Sequence, residues 1–396
     1  MNTTLVFEKG PHQRTKHSTQ WKMNQFGLCV FLLYVCAVIF YFIQGAGSFS
    51  ADGTRTLSNA TYGCRALING ACSVGFGLIA DIIYAFPQLF KKENRGHRWS
   101  SFFGKVYHSY SYVTSLIVVL LLPIGIKWWE VCIISFFSTF VCKHLFGGFG
   151  SNIVNPAIAG RVLAQLVFSS DMKTYIWYMD SAAGTTIDTG ASITTTVSTG
   201  SLDVLYEKNL WNIFIGNYYG SLGETFAIVI VIMCAYLIVR KIIDWRVPLF
   251  YIGSIYLSSV LMFYGFGWGS LAWDAGLRYT LIGGVMFCGV FCITDPVTTP
   301  TSRTGRIVFA LGCAILTMVF RVFTNASEGA AYSVLLMNFL TPLIDRCITG
   351  RLVNRMWIHA IVIAVLFAGV LAVGTGYGFT NEVSIPASVA SARRIC

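Results

Sequence analysis

Charge is what this 396-residue sequence has least of: Asp, Glu, Lys and Arg together make 11%, against roughly 25% in soluble domains. Apolar residues make 55%, Phe, Trp and Tyr 15%, and the mean hydropathy is +0.65. So few charges cannot cover that much apolar surface in water. A soluble enzyme, a nucleic-acid binder and a disordered chain are therefore excluded as classes. Acids are scarcer than bases, 17 against 28, which leaves a net charge of +11. In a membrane protein that excess belongs to cytoplasmic loops rather than to nucleic acid. No CxxC pair occurs among the twelve Cys, and most lie inside apolar runs, as small buried hydrophobes do. The six His show no metal-ligand spacing, and no nucleophile elbow, zinc-protease motif or dinucleotide fingerprint is present. No metal site is expected. Cys288 and Cys292, four apart, share a helical face. Two thiols without a second pair are weak ground for a cluster.

What is present is a series of long apolar runs. A bilayer core of ~30 Å needs ~20 apolar residues per helix. Eleven runs reach or approach that length: 24–44, 66–88, 111–126, 128–145, 153–169, 222–240, 247–266, 276–294, 304–322, 330–344 and 356–377. The first is too long, and too far from the start, for a cleaved signal peptide. Placing the N-terminus in the cytoplasm puts 18 of the 28 Lys and Arg on that side, including the run from Lys91 to Lys105. The same orientation sends the longest polar segment, 170–219, to the outer face. Residues 181–201 of it carry eleven Ser or Thr, a composition that by itself reads as a linker or stalk.

The expected fold is an all-α polytopic membrane protein. Its ten-helix core divides into five plus five, and an odd number per half inverts the second half against the first, the plan of many transporters. An eleventh helix follows. The expected divisions are a cytoplasmic segment 1–23, a first five-helix repeat 24–169, an outer loop 170–219, a second repeat 220–346 and a C-terminal extension 347–396. Polar residues at membrane depth are functional candidates. Glu224 opens span six in Gly-Ser-Leu-Gly-Glu-Thr; a helix N-terminus suits a carboxylate there, so it is equally readable as a cap. Asp295 stands before Pro296, where a span ends, with Arg303 or Arg306 near enough in sequence to pair with it. Asn155-Pro156 enters span five after a Gly-rich stretch without the Gly-Lys-Ser/Thr end of a P-loop. Arg161 follows and needs a phosphate, a carboxylate or the interface.

Several strings together resemble one family. They are Pro11-His-Gln-Arg-Thr-Lys-His-Ser-Thr19, Phe146-Gly-Gly-Phe-Gly-Ser-Asn-Ile-Val-Asn-Pro-Ala-Ile-Ala-Gly-Arg161, Gly220-Ser-Leu-Gly-Glu-Thr225 and Lys241-Ile-Ile-Asp-Trp-Arg246. Ile293-Thr-Asp-Pro-Val-Thr-Thr-Pro300 and the stretch from Glu328 to Arg346 complete the set. Order and spacing resemble the RnfD/NqrB family: RnfD of the Rnf ion-translocating electron-transport complex, and its counterpart in the sodium-pumping NADH:quinone reductase. The opening string is more like RnfD. The resemblance implies a subunit of the bacterial inner membrane without an active site of its own. It serves an oxidoreductase that passes electrons between ferredoxin and NAD, coupled to Na⁺ or H⁺ movement. It further implies FMN joined by a phosphoester to a Thr or Ser of the outer loop, attached by a flavin transferase. A second, noncovalent flavin (riboflavin or FMN) and partner membrane and flavin subunits are implied as well.

The acceptor pattern implied by the resemblance is Asp-x-x-Ser/Thr-Gly/Ser-Ala-Thr, and this loop departs from it. Thr194 ranks first, with Asp188 six residues before it; Thr186 and Ser192 are the other placements. The family often carries an acid at the start of span three, where Ser109 and Ser111 stand here. The rival reading is a transporter or channel without redox cofactor, in which the Ser/Thr loop is a linker.

Overall fold

All eleven apolar runs hold helix, and the reason is visible in which side chains remain uncovered. The computed structural model describes residues 18–43, 59–90, 98–172, 175–176, 189–190, 210–216, 220–224, 226–324, 329–348 and 356–380. The first helix, α1 (Thr19–Ile43), buries Phe26, Val30, Leu33 and Ala37 against the bundle, while Leu28, Phe31 and Ile39 on its other face are about half exposed. A helix apolar on all sides with one uncovered face is solvated by lipid, not water. The chain is thus a polytopic α-helical membrane protein.

The second helix, α2 (Asn59–Ala85), packs against α1, against α4 (Ser111–Leu121) and against α5 (Trp128–Phe136). Between them lies α3 (Arg98–Tyr107), with Trp99, Phe103 and Tyr107 exposed and Phe102 buried. The last two turns of the α5 span, Phe137–His144, are π-helical, a geometry often found where side chains are re-aimed. Next comes α6 (Pro156–Val167), which touches α4 and the later α12 (Gly329–Ile348). It starts where it does because Asn155 caps it, its Oδ1 accepting from Ala157 N at 3.0 Å, and Pro156 supplies a preset first turn.

The second part of the chain contains α7 (Ala227–Val239), α8 (Arg246–Gly265), α9 (Ala272–Leu281), the short α10 (Val285–Phe287, continued by the π-helical Cys288–Cys292) and α11 (Arg303–Phe323) before α12. A two-residue ladder, Tyr175–Ile176 against Thr189–Gly190, is the only strand pairing among the described residues. Among the described residues five helices are long and apolar enough to cross a membrane; α9 and α10, bent by 68° at their junction, make a sixth crossing when counted as one span.

The last helix, α13 (Met356–Thr380), lies against α8 and α11. Its glycines let the backbones meet: a Cβ on Gly374 would overlap the Ser258 carbonyl, and one on Gly265 would stand 2.7 Å from the Gly378 carbonyl carbon. Ser258 Oγ donates to Val370 O at 2.7 Å. Gly376, two residues on, faces open space. Gly374→Leu is therefore expected to lower stability by about 1–3 kcal/mol through overpacking, while Gly376→Leu lowers nothing. Thermal unfolding of the two purified variants in detergent makes the comparison; equal midpoints would refute this docking.

Candidate functional site

Two helices stop among buried residues inside the bundle, and each stop creates carbonyls that need donors. Pro123 ends α4, because it disfavours helical geometry at Leu122 and lacks an N–H of its own. Leu120 O then accepts from Gly223 N at 2.8 Å, and Leu122 O from Leu222 N at 3.1 Å. The turn that opens the later half thus fills the carbonyls left by the earlier one. At the second stop, Ile282 is extended and Gly283 adopts φ +76° before α10 begins. The buried Arg321 of α11 donates there to Tyr279 O at 2.9 Å and to Ile282 O at 2.6 Å, its guanidinium 5.1 Å from the Tyr279 ring centroid.

Glu224 lies between these stops. It is buried, and its Oε2 accepts from Ser221 N at 3.3 Å. A Cβ on Gly284 would come within 2.8 Å of Oε1, so the carboxylate rests directly on the α9–α10 break. Glu224 therefore closes the 220–224 turn beside a helix break, while α7 itself begins at Ala227 after Phe226 and without a side-chain cap.

At one end of the bundle, polar side chains from four elements converge. Asp81 of α2 and His144 of the α5 span are each 1% exposed, and His144 Nε2 is 2.6 Å from Asp81 Oδ1. Ser109 Oγ and Ser111 Oγ donate to that same oxygen at 2.7 and 2.6 Å. Lys143, also buried, donates to Ser111 Oγ at 3.3 Å and to Thr114 Oγ1 at 3.4 Å. Tyr84 stacks on His144 with centroids 4.3 Å apart. Beyond Lys143 lies a cavity of about 40 Å³, lined by Thr114, Lys143, Asn152, Asn155, Asp295 and apolar side chains that include Phe26 and Phe291. It is polar and large enough to hold water.

Asp295 and Asn155 both meet this cavity. Asp295 accepts from Val297 N at 3.3 Å and Thr298 Oγ1 at 3.4 Å, which turns the chain after the α10 span. Asn155, besides capping α6, donates to Cys292 O at 3.2 Å and so ties α6 to the π-helical turn. The expected pairing of Asp295 with Arg303 or Arg306 is corrected: Arg306 Nη1 reaches Asp244 at 3.0 Å and its Nε reaches Pro300 O. The turn 298–302 sets α11 with that side chain toward the 240–246 loop, and Lys143 is the cation on the cavity beside Asp295. Arg161, buried on α6, has Met172 Sδ among its partners at 3.4 Å. Cys288 and Cys292 are buried in the π-helical turn. Among the described residues no three His, Cys, Asp or Glu stand together as metal ligands. Thr186, Asp188, Ser192 and Thr194 lie outside the described residues.

The opposite end carries an ion pair, Lys127 Nζ to Asp171 at 3.0 Å. Hydrogen bonding to Glu130 and then to Lys127 holds the Asp171 carboxyl below its ordinary range.

Residues 6–354 match the model of the NQR2, RnfD, RnfE family. The chain belongs to that family. The D subunit of the Na⁺-translocating ferredoxin:NAD⁺ oxidoreductase complex of Acetobacterium woodii is 29% identical over 350 residues, which are 88% of this chain and 95% of the relative. The D subunit of the proton-translocating ferredoxin:NAD⁺ oxidoreductase complex of Clostridium ljungdahlii is 35% identical over 247 residues, 60% of this chain and 72% of that one. The B subunit of the Na⁺-translocating NADH-quinone reductase of Ectopseudomonas mendocina is 31% identical over 249 residues, 62% of this chain and 60% of that one. The matched region of this NQR2, RnfD, RnfE family member takes in every helix but α13.

Sequence reasoning passed over Asp81, Lys143 and His144. The signal was there for the first: Asp81 is a lone acid inside the apolar run 66–88, the same cue that drew attention to Glu224. Ser109 and Ser111, noted only as the place where an acid is missing, turn out to bind the carboxylate that α2 supplies.

Proposed function

We propose that this chain is the RnfD-type membrane subunit of an Rnf-type complex, which moves electrons between ferredoxin and NAD and couples them to Na⁺ or H⁺ transport. The observation that carries the reading is the family match across α1 to α12, joined to relatives whose names describe that activity. In this reading the ten core helices form two inverted five-helix repeats. The stops after α4 and α9 fall in the third and eighth apolar runs, which this plan would make counterparts. The N-terminus is cytoplasmic in the bacterial inner membrane and the 170–219 loop is on the outer face.

The loop has the donor chemistry that covalent FMN needs: hydroxyls at Thr194, Ser192 and Thr186 among Gly and Ala, small neighbours that leave a transferase room. Thr194 would hold the phosphate as an ester, with Asp188 in the recognition pattern. When bound, FMN supplies one-electron transfer; a second, noncovalent flavin is part of the same proposal. The protein's work is to fix position and exclude water. Arg321 and the 220–224 turn keep the broken helices satisfied, while Glu224, Asp295, Asn155 and Arg161 are the polar groups available for charge coupling.

Co-expression with a flavin transferase, followed by a denaturing gel viewed under ultraviolet light, tests this. A fluorescent band at 43.7 kDa is expected, and Thr194→Ala is expected to abolish it while Thr186→Ala and Ser192→Ala retain it. Loss in one of the other two instead moves the acceptor there. A dark parental band, with the transferase active on another substrate, removes the redox reading and favours a transporter without cofactor.

A further inference from the structure

We infer that Asp81 and His144 form a proton-loading site, one that takes H⁺ rather than a metal cation and faces Asp295 across Lys143. The inference rests on the ion-coupled reading above and names the ion handled at this end of the bundle.

Three donors converge on one atom. Ser109 Oγ, Ser111 Oγ and His144 Nε2 all reach Asp81 Oδ1, within 2.7 Å. Two atoms of the pair, Asp81 Oδ2 and His144 Nδ1, are buried without a hydrogen-bond partner. In a neutral imidazole whose Nε2 donates to the carboxylate, Nδ1 is a bare lone pair. Nδ1 is thus the ring atom of the pair that is open to a proton. Loading forms one Nδ1–H bond and converts imidazole to imidazolium; release breaks that bond.

A hard metal cation fits poorly. Such ions gather several oxygen ligands, yet Oδ1 is already occupied by three donors, one of them the His144 ring nitrogen, which leaves Oδ2 as the one open carboxylate oxygen. The Lys143 ammonium, hydrogen-bonded to Ser111 and Thr114, fills the space a cation would take between Asp81 and the cavity. Tyr84 of α2 stacks on His144, with its Oη donating to Gly147 O at 2.9 Å. Lys105 of α3 stands 4.0 Å from the Tyr84 ring centroid. Tyr110, before α4, lines the cavity with Lys143 of the α5 span and Asp295 after α10. Ser111, Lys143 and Thr114 thus connect Asp81 to the cavity that Asp295 also lines.

The test has two arms. In proteoliposomes of the whole complex, driven by reduced ferredoxin and NAD, protons moved per electron transferred are followed with a pH-sensitive dye, with and without Na⁺. Asp81→Asn and His144→Gln are each expected to lower that ratio about tenfold, whereas Asp81→Glu retains most of it. A structural role alone would lower both quantities together. In the second arm, the isolated full chain in detergent is titrated by infrared difference spectroscopy. An imidazole protonation signal is expected that His144→Gln removes and that added Na⁺ leaves in place. An unchanged ratio in both variants, or a His144 signal displaced by Na⁺, overturns the inference. If the parental complex transfers no electrons from ferredoxin to NAD, the functional reading fails, and the infrared arm still decides this site.

Discussion

Arg321→Met is expected to destabilise the folded chain by about 3–5 kcal/mol, the range for stranding buried charged or polar partners. The methionine fills much of the same volume, so the loss is not one of packing. It comes from Tyr279 O and Ile282 O, which α9 exposes by stopping and which the guanidinium caps at 2.9 and 2.6 Å. Neither carbonyl has water to turn to, since Tyr279 and Ile282 are both buried. Arg321→Lys keeps the charge but not the planar fork that reaches two acceptors, so it should fall between parent and Arg321→Met. Heating the detergent-solubilised variants and following the surviving monodisperse fraction ranks the three. If Arg321→Met matches the parent, the break is held by something other than this side chain.

The second large effect is expected at Gly223. A Cβ there would stand 2.8 Å from Leu120 Cβ and 3.1 Å from Phe287 Cε2, while Gly223 N donates to Leu120 O at 2.8 Å. Gly223→Val must push the 220–224 turn away, which adds an overpacking cost of about 1–3 kcal/mol to the loss of backbone hydrogen bonds at membrane depth. Gly223→Ala should show a smaller loss, because its single methyl carbon meets Leu120 Cβ at 2.8 Å without the two further methyl groups that valine adds. A graded fall in thermal midpoint, parent above Ala above Val, is the expected result; a valine variant as stable as the parent would mean that the turn and α4 do not meet in this way.

The helices were legible because an apolar run long enough to cross a bilayer has few other fates, and all eleven runs hold helix. Glu224 was legible as an acid beside glycines at a span entry. Asp81 carried the same kind of signal, but its meaning depended on partners 28, 30 and 63 residues away, and no local pattern announces those. Arg306 shows the converse error. Asp295 is eleven positions from it, yet it pairs with Asp244, 62 positions away, because a turn fixes where a side chain points and sequence proximity does not. The π-helical turns at Phe137–His144 and Cys288–Cys292 are likewise products of packing, since no residue type specifies them.

The two backbone hydrogen bonds from Leu222 and Gly223 to Leu122 and Leu120 bear on how this molecule can move. Many carriers work by rocking one bundle against another. Here such a swing would tear peptide groups apart where lipid and side chains offer no replacement, at several kcal/mol for each group left bare. The join is therefore a fixed point of the scaffold, held by peptide groups rather than by side chains, and any motion of the two parts against each other has to turn about it or leave it intact.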